Sequence, residues 1–254
     1  MKTRSFVIAL LLSFPLTTWA AGGGVALHSA PVDLNDKASL QTGAKLFANY
    51  CLGCHSAQYA RFQRLGEDLG LTEEELQQNL MFTTDKIGDT MDIAMAPEAG
   101  KQWFGVTPPD LSVTARARGA DWLYTYLLTF YLDDAKPWGV NNLVFKDVGM
   151  PHVLWERQGW QKPVYETVTS EDGQSHEVIH ALELIDKEEL SEAEYEEKVA
   201  AYEQDVRNLV NFMVYLAEPA QLKRHALGPW VLIFLFIFLA VAYLLKKEYW
   251  RDIH

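Results

Sequence analysis

Both cysteines of the chain fall within five residues, Cys51-Leu52-Gly53-Cys54-His55, and the 254-residue sequence has no others. This C-x-x-C-H run is the attachment pattern of a c-type haem. Thiols three positions apart lie about one helical turn from each other, so both can reach vinyl groups on one edge of a porphyrin and form thioethers. His55 then projects under the ring, where an imidazole nitrogen ligates iron. A thioredoxin-like redox pair calls for a βαβ setting that the flanking sequence lacks. A zinc site needs a fourth ligand, and no second cluster follows. One covalent haem c is the expected cofactor.

The two ends of the chain fix where such a haem sits. Lys2 and Arg4 precede an apolar run from Phe6 to Leu12, and Thr18-Trp19-Ala20 is a small-residue cleavage pattern. Residues 1–20 therefore read as a secretory signal peptide cut before Ala21, the run being short for an uncleaved anchor. Ala226 to Leu245 carries no charge over twenty residues, which at ~1.5 Å per residue spans about 30 Å, a hydrocarbon core. Lys223 and Arg224 precede it and Lys246, Lys247 and Arg251 follow, with Trp230, Tyr243, Tyr249 and Trp250 suited to the interfaces. The expected order is signal peptide 1–20, periplasmic c-type haem domain 21–222, transmembrane anchor 226–245 and cytoplasmic tail 246–254. That makes a single-pass protein of a bacterial inner membrane, in contact with membrane lipid. With 34 acidic against 22 basic residues and a net charge of −12, no nucleic acid partner is expected, since a basic surface is what such binding needs.

Between the ends the pattern is mostly α, with long loops. Ser39 to Tyr50 reads as a short amphipathic helix with Leu40, Ala44 and Phe47 on one face. Residues 59–80 read as two helical pieces broken near Gly70, the second started by a Thr72–Glu75 capping box. Residues 84–118 and 136–161 read as loop-rich, and Asp121 to Leu132 as another helix. Pro163 to Ile185 alternates around Ser170-Glu171-Asp172-Gly173, as a small β-hairpin insertion does. Ser191 and Glu194 open a long helix whose apolar stripe runs Tyr195, Val199, Tyr202, Val206, Leu209, Met213, Leu216. Long loops in a compact domain need a large organiser, and a porphyrin supplies one, with Leu46, Phe47 and Tyr50 expected against one edge.

The sixth iron ligand decides the chemistry. Methionine opposite histidine raises the potential and makes an electron carrier, whereas an open position allows ligand chemistry. Met81, Met91, Met95, Met150, Met213 and His152 are available. Met213 belongs to the helix stripe, while Met95 and Met150 lie in irregular backbone beside prolines and stay close rivals, with a slight preference for Met150. Buried propionates need compensating charge, which Arg116 and Arg118 could supply, unless they form only a solvated basic turn.

Further motifs carry a family resemblance. Asn49-Tyr-Cys-Leu-Gly-Cys-His-Ser56, Arg61-Phe-Gln-Arg-Leu65, Glu67-Asp-Leu-Gly70, Trp103-Phe-Gly105 and Pro108-Pro-Asp-Leu-Ser112 resemble bacterial members of the cytochrome c1 family. So do Ala115-Arg-Ala-Arg-Gly119, Leu127-Leu-Thr129, Gly149-Met-Pro151, Ala217-Glu-Pro219 and the C-terminal anchor, in order from about residue 40 onward. The resemblance implies a cytochrome c-like haem domain, Met150 as sixth ligand, Arg118 as a propionate partner, and Pro108 and Pro109 lining the haem pocket. It departs in two places: Pro151 is followed by His152 rather than a second proline, and an extra cysteine pair of some relatives is missing.

The function so implied is electron transfer in a quinol–cytochrome c oxidoreductase, from a Rieske iron–sulfur protein to cytochrome c, beside a cytochrome b. A stand-alone anchored cytochrome or haem subunit of a terminal oxidase, a haem peroxidase, and a structural subunit with an incidental haem are the competing readings. Residues 183–205 hold ten acids and two bases; they either steer a basic partner or form a plain solvated helix face.

Overall fold

The computed structural model describes residues 25–169 and 174–253, so the expected signal segment 1–20 and the hairpin turn at 170–173 lie outside it. Helix α1 (Lys37–Leu46) starts where the Asp36 carboxylate accepts from the Ser39 amide, an N-cap satisfying one of the orphan donors of the first turn. It runs directly into a π-helical turn, Phe47–Cys51. The wider turn delivers the first cysteine to the core, and such turns recur at functional sites.

Strand β1 (Ala57–Arg61) comes next, then α2 (Phe62–Leu69) and α3 (Glu73–Asn79). Gly70 closes α2 at φ 75°, a left-handed position where glycine carries no Cβ penalty. Thr72 and Glu75 form the expected capping box on α3. The helical reading of residues 59–80 is thus corrected at its start. Residues 59–61 are strand because Ala57 pairs with Met91 and Arg61 with Thr90 of β2 (Thr90–Met91), a partner some thirty positions away.

The stretch 84–118 is less irregular than its prolines suggest. It holds α4 (Pro97–Phe104), with Pro97 at the first turn where no amide donor is missed, and α5 (Thr114–Arg118). Helix α6 (Ala120–Leu128) ends four residues short of the expected Leu132, because Phe130–Leu132 forms β3 against β4 (Val140–Asn142). After α7 (Trp155–Gln158) come β5 (Gln161–Thr169) and β6 (Ser175–Leu184), antiparallel with a bulge at Val164/Tyr165. These are the two arms of the expected hairpin.

Helix α8 (Glu192–Ala217) carries the capping box of Ser191 and Glu194. Tyr202, Val206, Leu209, Met213 and Leu216 of its stripe are buried, while Tyr195 and Val199 are half-buried. The stripe packs on α1, as its period requires, and Phe47 meets Phe212 at 5.6 Å between ring centroids. The helices cross at Gly43, where a Cβ would stand 2.0 Å from the Asn208 carbonyl oxygen. Two asparagines are satisfied inside this crossing. The Ser39 hydroxyl donates to Asn208 Oδ1 at 2.8 Å, and fully buried Asn211 donates to the Asp33 carbonyl at 2.8 Å and accepts from its amide at 3.1 Å. Each polar group is paired, so burial costs little and the amides fix the helix register.

Helix α9 (Gln221–Tyr249) contains the uncharged stretch 226–245 and is apolar all round, with no buried residue. Its exposed phenylalanines, leucines and isoleucines need a hydrocarbon surround. The architecture is a mostly helical head with small hairpins, carried on one C-terminal membrane-anchoring helix.

Candidate haem site

The π-helical turn and the motif behind it build one wall of the site. After Cys51 the chain turns tightly, with the Cys54 and His55 amides both donating to the Cys51 carbonyl at 3.0 and 2.8 Å. Cys51 is buried and Cys54 half-buried, and the two thiols are not bonded to each other. Burial, with Cys54 adding to it, pushes the Cys51 thiol up to about 12, so it stays protonated.

Cys54, His55 and Met150 line a single pocket that opens to solvent. Its remaining lining is Tyr50, Phe104, Val106, Pro108, Pro109, Gly149, Pro151 and Val153, so the walls are predominantly apolar. His55 Nδ1 lies 2.7 Å from the Pro109 carbonyl oxygen. A carbonyl only accepts, so Nδ1 carries the proton and Nε2 is left with its lone pair, the arrangement of a metal-ligating imidazole. Burial holds the His55 ring below its ordinary pKa, against the opposing pull of the Pro109 bond and of Asp110, which keeps it neutral.

The Tyr126 hydroxyl donates to Met150 Sδ at 3.4 Å. Burial pushes the Tyr126 phenol well above its ordinary value, so this donor does not ionise near neutral pH. Beside Met150 the packing is close: a Cβ at Gly149 would stand 3.2 Å from Val106 Cγ2. Thiols one turn apart, a neutral imidazole with a bare Nε2, a thioether and an apolar wall together fit a c-type haem.

The other expected residues are distributed as follows. Pro108 and Pro109 line the pocket. Met95 lines a different, more polar pocket with Ser56, Asp92 and Asp110, while Met81, Met91 and Met213 are core residues. His152 is buried and stacked on Phe130 at 4.9 Å, and is not among the pocket residues. Of the expected porphyrin edge only Tyr50 lines the pocket; Leu46 and Phe47 belong to the core packed around α8. Arg118 is exposed and lies over the Trp122 ring, 5.1 Å from its centroid, and is not among the pocket residues. The contribution that sequence reasoning missed is Tyr126. Its place four residues after Trp122, one turn along the same helix, was the available signal.

A model of the cytochrome C1 family matches residues 27–253. Cytochrome c1 of Allochromatium vinosum is 48% identical over 252 residues, covering 99% of this chain and all of that one. A protein named ammonia monooxygenase gamma subunit, from Nitrosomonas europaea, is 47% identical over the full length of both chains. A longer protein named cytochrome b/c1, from Bradyrhizobium diazoefficiens, is 26% identical over 256 residues, covering 89% of this chain and 35% of that one. With a family match across nearly every described residue and near-half identity over the whole length, the chain belongs to the cytochrome c1 family, as a membrane-anchored c-type electron-transfer cytochrome carrying one covalent haem c.

Proposed function

We propose that the chain is the electron-carrying subunit of a quinol–cytochrome c oxidoreductase, taking an electron from a Rieske iron–sulfur protein and passing it to cytochrome c. In this reading it sits beside a cytochrome b in a bacterial inner membrane, with the haem domain in the periplasm. The observation that carries the reading is the shared pocket of His55 and Met150. An iron held by imidazole and thioether has no open position for substrate and a raised potential, which suits transfer and not oxygen chemistry. The name cytochrome b/c1 of the longer relative supports a cytochrome b as neighbour.

The bound haem supplies the one-electron couple. Cys51 and Cys54 would tether it through thioethers, and His55 would ligate iron through Nε2 while the Pro109 carbonyl holds the imidazole's orientation. Met150, in the same pocket, would supply a second protein ligand. Pro108 and Pro109 wall the pocket and keep water out, which strengthens every charge interaction inside. Arg118, at the exposed end of the Trp122 stack, offers a fork of donors for a propionate. The signal segment 1–20, the haem domain 21–222, the anchor 226–245 and the tail 246–254 set the topology, because export of the head leaves the tail in the cytoplasm.

Purification from native membranes tests this reading. Cytochrome b and an iron–sulfur protein are expected to accompany the chain, and quinol is expected to reduce it. Isolation with an ammonia-oxidising enzyme or a terminal oxidase, and without cytochrome b, contradicts it. Rapid, complete binding of carbon monoxide to the reduced protein would point instead to an open iron and a peroxidase-like role.

The acidic segment 183–205 gives a second prediction. Glu188 and Glu189 lie on an exposed turn and Glu192, Glu194, Glu196 and Glu197 on the exposed start of α8. Local pairs, Lys187 with Glu183 at 2.8 Å and Lys198 with Asp186 at 2.6 Å, offset only part of the charge. A basic cytochrome c is expected to be reduced about tenfold more slowly at physiological than at low ionic strength, since screening removes the steering field. Stopped-flow rates indifferent to salt would leave these acids a solvated face and nothing more.

A further inference from the structure

We infer that Tyr126 is a positioning residue for the Met150 thioether, whose sulfur its hydroxyl holds by a hydrogen bond and so biases the bound haem toward the reduced state. The inference rests on the reading of Met150 as the sixth ligand. The bond, from Tyr126 Oη to Met150 Sδ at 3.4 Å, joins α6 to the loop after β4, across 24 residues of sequence. A donor on sulfur draws electron density from the lone pair that would bind iron. A weaker sulfur donor favours Fe(II) over Fe(III), so the hydroxyl raises the potential beyond what the thioether alone provides.

The phenol is held in place from two sides. Trp122, one turn earlier on α6, stacks on it at 5.0 Å with planes 10° apart, and the Arg118 guanidinium lies over the Trp122 ring, 5.1 Å from its centroid. Phe130 closes the other side edge-on at 5.1 Å. Trp122 and Tyr126 stand one turn apart on α6, and Arg118, the last residue of α5, adds its guanidinium to the column from across Gly119. Tyr126 also packs against both apolar clusters, the one around α1 and α8 and the smaller one of Phe130, Val140 and Val148. A side chain so clamped can fix the direction of a sulfur lone pair, where a free rotor could not.

The test is Tyr126→Phe in the full-length, haem-loaded protein, beside Met150→Leu. Phenylalanine keeps the ring and its stacking, so haem content and melting temperature are expected to match the parent. In a redox titration at the parent's midpoint, the ratio of reduced to oxidised haem is expected to fall about threefold, or ~28 mV at 59 mV per tenfold. The weak sulfur-to-iron charge-transfer band of the oxidised protein persists in Tyr126→Phe and is lost in Met150→Leu. An unchanged ratio in Tyr126→Phe, with the band lost in Met150→Leu, overturns the inference and leaves the ligand reading standing. A band that survives in Met150→Leu overturns the ligand reading and the inference together.

Discussion

Replacing Met150 with leucine is expected to lower the haem potential by on the order of 0.1 V or more and to abolish quinol-linked reduction of cytochrome c. Axial ligands are the strongest lever a protein has on haem, spanning about 0.8 V across known ligand sets. Leucine matches methionine closely in volume, and such exchanges usually cost under ~1.5 kcal/mol. Met150 is also only half-buried, so the fold is expected to survive. What disappears is the sulfur, and with it the acceptor of the Tyr126 hydroxyl. The reduced variant is expected to bind carbon monoxide where the parent does not. Met95→Leu is the control: Met95 lines the pocket of Asp92 and Asp110 rather than that of His55, so its potential and carbon monoxide response should match the parent's. A variant pair that behaves the other way round assigns the ligand to Met95.

Gly43→Ala is expected to be the most damaging single methyl group in the head. The added Cβ would stand 2.0 Å from the Asn208 carbonyl oxygen and 2.7 Å from Phe212 Cβ. Neither neighbour is the loose end of a side chain, so helices α1 and α8 must separate. Overpacking of this kind costs about 1–3 kcal/mol. Separation also pulls Ser39 from Asn208 and strands buried Asn211, each unsatisfied group adding about 1–3 kcal/mol. For a domain near 200 residues, each kcal/mol is worth ~2–4 °C, so a drop of about 10 °C in the melting temperature is expected. Gly88→Ala, where nothing lies within 4 Å of the new atom, should leave melting unchanged. Equal melting of the two variants would mean that the α1–α8 crossing is not the head's tightest contact.

What the sequence made legible is instructive in its pattern. Chemistry written over a few adjacent residues was readable: the haem motif at 51–55, the capping boxes at Thr72–Glu75 and Ser191–Glu194, the uncharged anchor, the hairpin arms. The α8 stripe was legible too, because its apolar positions repeat at helical spacing along one face. Strands β1 and β3 were read as helix since their pairing partners, Met91 and the 140–142 segment, lie far along the chain and leave no local period. Helix α4 was hidden by prolines read as breakers, although Pro97 sits at the one turn where proline fits. At the site, residue chemistry alone could not separate Met95 from Met150. That distinction is a matter of which loop folds over His55. The contact of Arg118 with Trp122 was equally unreadable, because Gly119 between them ends one helix before the next begins.

The most direct measurement is covalent retention of haem. The full chain, made in a host that matures c-type cytochromes, is extracted with acid acetone, or run on a denaturing gel and stained for haem. The account predicts that the colour stays with the polypeptide, and that it is lost when Cys51 and Cys54 are both changed to alanine. A chain that emerges colourless, or that yields its haem to the solvent with both cysteines intact, contradicts it.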